Sequence, residues 1–276
     1  MVLIRELDLN DCQKGTSVVN GLSRQIISEM NLLISNVMVS FDDLNVEDVG
    51  SAVFRFLQPA AKESLRLAIK ERNQKLKIRS AYRTIAQQYI LYRQFLRGLC
   101  NIGRAAKPSF SNHEDGLAFD TPDFDVWKTV LEKYDWEWYG SGDRVHFTYV
   151  GSGVRDDIGN IGVKAFQILW NKNNANDRIS EDGIYGDQTE ARLRQSPNDG
   201  FSGVRLLKLV SPNMQGEDVR KVQQALINSK FLDDKPVTGI YDSDTESAVR
   251  KFQEKKGLDA DGIVGAQTLK AMGIKR

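Results

Sequence analysis

Ser111-Asn112-His113-Glu114-Asp115-Gly116-Leu117-Ala118-Phe119-Asp120 is the stretch on which the fold of this chain turns. On one helix, the spacing of His113 and Asp120 would set them about 10 Å apart along the axis. That is too far for two donors that must each lie ~2.0–2.2 Å from one metal. A turn running into a strand brings them together instead. Gly116 suits such a turn, because glycine reaches positive φ without steric cost. Leu117 and Phe119 then alternate with Ala118 and Asp120, so Asp120 falls on the strand face opposite the two large apolar residues. Matching five residue types of this motif by chance in a chain of this length is an event of about one in ten thousand.

The chain contains 2 histidines, and the second lies in Asp143-Arg144-Val145-His146-Phe147. His146 alternates with Val145 and Phe147, which puts it on the polar face of another strand. Two His and one Asp make a three-ligand site with an open fourth position, the pattern of a catalytic rather than a structural metal. Asp143 would point away from His146 on a regular strand, but Gly140-Ser141-Gly142 precedes it. A bend there turns Asp143 toward the metal, where a carboxylate serves as general base and then acid.

Outward from this core, Trp136 and Trp138 alternate with Asp135 and Glu137, giving a third strand. A helix is expected around 124–134, between the first two of these strands. On the N-terminal side, a helical stripe runs through Leu22, Ile26, Ile27, Met30 and Leu33. Val37 to Phe41 reads as a short strand, Pro59 opens a second helix, and Leu76, Ile78 and Ser80 alternate as a strand. Thr84 and Gln87 form a capping-box pair ahead of the stripe Ile85, Tyr89, Tyr92, Leu96, Leu99. The first ~20 residues are polar and mixed and are expected to form an arm. The fold class is therefore α+β, a small antiparallel sheet with flanking helices around a metal site.

The last ~115 residues repeat internally. Phe166-Gln167 leads to Asp182-Gly183-Ile184-Tyr185-Gly186 and Thr189; Val222-Gln223 leads at the same spacing to Thr238-Gly239-Ile240-Tyr241-Asp242 and Thr245. Phe252-Gln253 leads to Asp261-Gly262-Ile263-Val264-Gly265 and Thr268. Each copy reads as helix, glycine turn, and a Thr capping the next helix. A turn-rich joint at about 196–212, with Ser196-Pro197-Asn198-Asp199-Gly200 and Ser211-Pro212, separates 21–200 from a three-helix all-α domain at 205–276. The copy within 162–200 lacks a second half and is assigned to the tail of the first domain.

Composition narrows the function classes. The chain has 276 residues, 38 Lys plus Arg against 37 Asp plus Glu, and a net charge of +1, so no broad positive field supports nucleic-acid binding. A 41% hydrophobic and 27% charged mixture is globular. No apolar run approaches the ~20 residues of a membrane span. Met1-Val2-Leu3-Ile4-Arg5-Glu6-Leu7-Asp8 is not a recognisable secretory signal, so the export route is open. Cys12 and Cys100 do not make a disulfide framework and read as free thiols, with a single bridge left open.

Taken with Ser80-Ala81-Tyr82-Arg83-Thr84 and Trp136-Glu137-Trp138-Tyr139-Gly140, the two histidine motifs resemble the M15 zinc peptidases, over about residues 20–200. That family includes D-alanyl-D-alanine carboxypeptidases and phage L-alanyl-D-glutamate endopeptidases. The resemblance implies Zn2+ held by His113, Asp120 and His146, with Asp143 as catalytic acid/base. Many carboxypeptidase members carry Glu where Asp143 stands, and Asp is familiar among the endopeptidases. It implies that Arg83 steadies oxyanion charge, a task that suits a permanently charged fork of donors. Ser111, Trp138 and Tyr82 are implied substrate contacts; for Ser111 a turn-opening role, and for Trp138 a buried strand position, weigh equally.

Residues 205–274 resemble peptidoglycan-binding type 1 modules, on Gly216-Glu217-Asp218-Val219, Val222-Gln223 and Asp261 to Thr268. Together the resemblances imply a zinc peptidase acting on peptidoglycan stem peptides at the cell wall, periplasm or outside the cell, as a monomer bound to the glycan wall. D,D-carboxypeptidase activity is the first expectation. An endolysin or delivered lytic effector with endopeptidase activity is the second, and a non-catalytic wall-binding protein the third.

Overall fold

A computed structural model of the chain describes residues 2–201, 206–211, 213–233 and 237–274. In chain order, α1 (Asn20–Leu33) leads into β1 (Val39–Ser40), β2 (Val46–Asp48) and β3 (Phe56–Leu57). Then come α2 (Pro59–Arg72), β4 (Leu76–Ile78) and α3 (Ile85–Leu96). β5 (Ala118–Asp120), α4 (Phe124–Glu132), β6 (Trp136–Trp138) and β7 (His146–Tyr149) follow, and then α5 (Ile158–Asn173) and α6 (Asp187–Gln195). The C-terminal part holds α7 (Glu217–Asn228), α8 (Ser243–Lys255) and α9 (Ala266–Ala271). The architecture is mixed α+β, with an all-α C-terminal part. None of these helices is long and apolar enough to cross a membrane.

The central sheet is antiparallel in the order β5-β7-β6. Its register places Phe119 opposite Phe147 and Asp120 opposite His146, while Trp136 faces Tyr149 and Trp138 faces Phe147. Because side chains alternate, one face is wholly aromatic and the other polar. Phe119, Phe147 and Trp136 are fully buried, and they pack with Leu65 of α2 and Trp127 and Leu131 of α4. Burying each such side chain stabilises by roughly 1.5–3 kcal/mol, which fixes the register and so the face that Asp120 and His146 share.

A second core joins α1, α3 and α5 through Leu22, Ile26, Met30, Ile90, Phe166 and Leu169. α3 begins as its sequence predicts: the Thr84 hydroxyl accepts from Gln87 N at 3.4 Å, and Thr84 N donates to Gln87 Oε1 at 3.3 Å. Its stripe stops short of Leu99, because Gly98 turns the chain at φ +63. Two two-stranded ribbons complete this part, β1 with β3 antiparallel and β2 with β4 parallel.

The N-terminal residues differ from the expected arm. Ile4–Glu6 and Gly15–Val19 are 3-10 turns, Ile4 and Val19 are buried, and Ile4 N donates to Ser196 O at 3.0 Å. Cys12 and Cys100 are not free thiols: they form a disulfide across 88 residues of sequence. Two lone cysteines carry no pairing signal, and only the fold shows their Cα atoms 5.3 Å apart.

The three repeat copies share one hydrogen-bond network. Gly183, Gly239 and Gly262 sit at φ +76, +72 and +70, and each donates its N–H to the Oε1 of Gln167, Gln223 or Gln253 at 2.8–2.9 Å. The Nε2 of each Gln reaches the Thr hydroxyl of its own copy at 3.0–3.2 Å. The threonines do not cap as expected. Gly186, Asp242 and Gly265 take the cap positions, and Thr189, Thr245 and Thr268 stand inside the first turn. The α5–α6 copy, which lacks a second half in sequence, packs against α1 in the second core. Of the joint expected at 196–212, residues 202–205 and Pro212 lie outside the described residues.

Candidate metal centre

β5 and β7 present Asp120 and His146 side by side, and the turn before β5 adds His113. Gly116 makes that turn at φ +67, where an added Cβ would lie 2.5 Å from Met38 Cε. Leu117 N donates to Asn112 O, and Gly116 N to His113 O, which closes the loop back on itself. The segment before α3 then clamps both Asp120 and His113. Arg79 N donates to Asp120 O at 2.8 Å, Asp120 N to Ser80 O at 2.8 Å, and Arg83 N to His113 O at 3.1 Å.

The three donor atoms converge. His113 Nε2 lies 3.1 Å from His146 Nδ1 and 3.3 Å from Asp120 Oδ1, and His146 Nδ1 lies 3.1 Å from Asp120 Oδ1. A tetrahedral centre with bonds of ~2.0–2.2 Å spaces its ligands by about 3.3 Å or slightly more. Among the described residues, these three are the His, Cys, Asp and Glu group arranged to hold a metal ion.

The partners behind the ligands fix their chemistry. His113 Nδ1 donates to Ala81 O at 2.7 Å, so its Nε2 keeps the lone pair turned toward Asp120. His146 Nε2 lies 2.9 Å from Thr148 Oγ1, which leaves Nδ1 for the centre. Burial, reinforced by the Arg83 guanidinium, lowers the His113 pKa to about 4, so the ring is neutral as a ligand must be. Burial alone would raise the Asp120 carboxyl, yet it is held well below the usual range, and the Arg83 guanidinium contributes to this. A neutral imidazole lone pair and a carboxylate oxygen at 3.3 Å repel unless a cation lies between them. The donor set therefore fits zinc.

Arg83 is 14% exposed and donates from Nε to Ser80 Oγ at 3.1 Å and from Nη1 to Gln88 Oε1 at 3.0 Å. Its Nη2 stands 3.5 Å from Asp120 Oδ2, so it braces the oxygen that Asp120 turns away from the centre. Asp143 stands just outside the three-residue cluster. Gly140 bends the chain at φ +95, Asp143 N donates to Gly140 O, and His146 N donates to Asp143 O. Asp143 is half-buried, and burial together with the charge of Asp120 raises its pKa.

Two of the expected substrate contacts do not join the cluster. Tyr82 is 1% exposed in the second core, and its hydroxyl donates to Met30 Sδ at 3.0 Å. Trp138 pairs with Phe147 on the aromatic face of the sheet, so it lies away from the ligands, stacked on Phe124. Ser111 is buried, and its carbonyl accepts from Glu114 N at 2.7 Å, as a turn opener does.

Tyr139 occupies the place expected of Trp138. One residue further along, it is exposed and sets its ring edge-on to His146 at 5.7 Å. The alternation from Trp136 onward already places Tyr139 on the ligand face. Arg104, from the loop after α3, lies over the Tyr139 ring at 5.1 Å and donates to its hydroxyl. No pattern in Asn101-Ile102-Gly103-Arg104 pointed to it. Buried Glu114 also lacked a signal: both its oxygens accept from Ser109 N at 2.9 Å, and burial raises its pKa to about 8.

Residues 215–272 match the family described as "Putative peptidoglycan binding domain". The chain is similar to the N-acetylmuramoyl-L-alanine amidase CwlL of Bacillus licheniformis, 36% identical over 107 residues, 33% of this chain and 30% of that protein. It is also similar to a probable N-acetylmuramoyl-L-alanine amidase of the same organism, 33% identical over 102 residues. The matched stretches span about 30% of the length of these curated relatives. No solved structure matches the chain.

Proposed function

We propose that the chain is a zinc-dependent peptidoglycan hydrolase, held to the wall by its C-terminal module and cutting the stem peptide. The observation that carries this reading is the convergence of His113 Nε2, Asp120 Oδ1 and His146 Nδ1 within 3.1–3.3 Å of one another. The resemblance of their motifs to the M15 peptidases, the match of 215–272 and the names of the relatives support it.

Zinc held by the three residues would supply a Lewis acid and a nucleophile usable at neutral pH. The residues of the chain do the rest. Ala81 O and Thr148 orient the two rings. Arg83 fixes Asp120, and its charge favours the oxyanion that forms when the carbonyl is attacked. The Asp143 carboxylate accepts the proton of the attacking water and delivers it to the departing amine nitrogen. The exposed Arg104 at the rim suits a substrate that ends in a free carboxylate. This favours removal of the terminal D-Ala from D-Ala-D-Ala stems.

Cleavage between L-Ala and D-Glu by an endolysin or delivered effector is the second reading, and the names of the relatives add a third bond, between muramic acid and L-Ala. Mass spectrometry of muropeptides after incubation with zinc-loaded protein tests the choice. Loss of one alanine from pentapeptide stems is the expected product. A fragment beginning at D-Glu makes the chain an endopeptidase, and release of the whole stem makes it an amidase. Intact muropeptides from zinc-loaded protein would leave only wall binding.

A further inference from the structure

In the C-terminal module, α7 and α8 diverge around an open cleft of about 260 Å3. Its two walls differ in chemistry. Ile227, Phe231 and Val237 form an apolar wall and are half-buried. Phe231 is held edge-on against Phe252 at 5.4 Å, which fixes its ring. The opposite wall is a row on α8, Asp244, Ser247 and Lys251, spaced so that all three share one helix face. These side chains are exposed and make no hydrogen bond or ion pair among the described residues. Nearby polar groups are committed. Asp242 caps α8 by accepting from Thr245 N at 2.8 Å, and the Thr238 hydroxyl accepts from Gln223 Nε2 at 3.0 Å.

We propose that this cleft is the subsite through which the module holds the glycan strand, and that it takes one N-acetylated amino sugar. The inference rests on the reading of this module as peptidoglycan-binding, since the match at 215–272 includes every lining residue. A pyranose ring offers an apolar C–H face and an acetamido methyl, and these fit the Phe231 wall. Its hydroxyls and amide are donors and acceptors together. Asp244 accepts, Lys251 donates, and Ser247 does both. The cleft's volume of about 260 Å3 admits a single pyranose ring.

The test is co-sedimentation of the full chain with purified sacculi, in an Asp143→Ala background so that the wall stays intact. Ser247→Trp fills the cleft from an exposed position. It should raise the apparent Kd at least tenfold while leaving the thermal midpoint unchanged. In the otherwise unmodified chain, the same substitution should leave cleavage of a soluble pentapeptide unchanged. Asp244→Ala should weaken binding in the same direction without adding bulk. Glycan strands stripped of stems should displace the bound protein, and free pentapeptide should not. Ser247→Trp binding like its parent, or displacement by pentapeptide alone, would overturn the assignment. Failure of the parent itself to sediment is a separate result, and it would remove the wall-binding reading underneath.

Discussion

His113 is suited to be a ligand by what surrounds it: a carbonyl accepts a hydrogen bond from one ring nitrogen, and burial beside Arg83 keeps the other nitrogen bare. The ligand set predicts that Asp120→Asn and His146→Ala each reduce zinc from about one ion per chain to near none, measured by atomic absorption. Arg83→Ala keeps all three ligands and should lower zinc affinity about 10–100-fold. Asp143 acts ionised; burial and the charge of Asp120 raise its pKa, and the acid limb of kcat/KM should follow its ionisation in the zinc-loaded protein. Arg104 pulls that pKa down. Arg104→Ala should therefore move the acid limb to higher pH and raise KM for a pentapeptide roughly tenfold; an unmoved limb would separate Arg104 from Asp143. Glu114 gives a stability prediction. Its pKa rises from an ordinary 4.5 to about 8 on folding, so the stability this neutral carboxyl contributes is full below about 4.5 and lost as pH climbs through about 8. Glu114→Gln should raise the thermal midpoint at pH 8 by several degrees and show little gain near pH 4.5. The convergence of His113, Asp120 and His146 was legible in the sequence, because His, Gly and Asp at those spacings admit few other geometries. Arg104 and Glu114 were not, since a loop cation and a buried acid leave no periodic trace.

At the scale of elements, alternation carried most of the information. Leu117 to Asp120 and Val145 to Tyr149 each announce a strand with one polar face, and β5 and β7 pair with Asp120 beside His146. For Trp138 a substrate contact and a buried strand position weighed equally in the sequence; counting from Trp136 puts it with the core and Tyr139 beside His146. The repeats were legible by spacing, while the role of Thr was not, since a Thr three residues inside a helix and one at its cap look alike in sequence. The Gln at the centre of each copy is the stronger structural residue. Gln223→Leu strips Gly239 N–H of its buried acceptor, at a cost of about 1–3 kcal/mol, and should lower wall binding and the melting point of the module together. Gln→Leu without loss of either would contradict the shared network. The disulfide ties the N-terminal segment to the loop after α3. Cys12→Ser should lower stability by about 2–4 kcal/mol in the first domain, read by denaturant titration under non-reducing conditions.

Across the whole molecule, the His113–Asp120–His146 cluster and the C-terminal module that matches the peptidoglycan-binding family are built on separate hydrophobic cores. On the proposed function, the module would concentrate substrate around the centre by tethering, an effect that rises with linker match and needs no contact between the parts. The expected boundary, at about 196–212, was read from a turn-rich joint rather than from the repeats, which begin before it. That the first repeat copy belongs to the N-terminal core was legible only as a missing half, because its partner, α1, carries no repeat signature. The claim on which everything else depends is that His113, Asp120 and His146 share one zinc. Anomalous diffraction across the zinc edge, on crystals grown with the metal, measures this directly. A single peak ~2.0–2.2 Å from His113 Nε2, His146 Nδ1 and Asp120 Oδ1 is the predicted result. A zinc-loaded crystal with no peak between these atoms would contradict it.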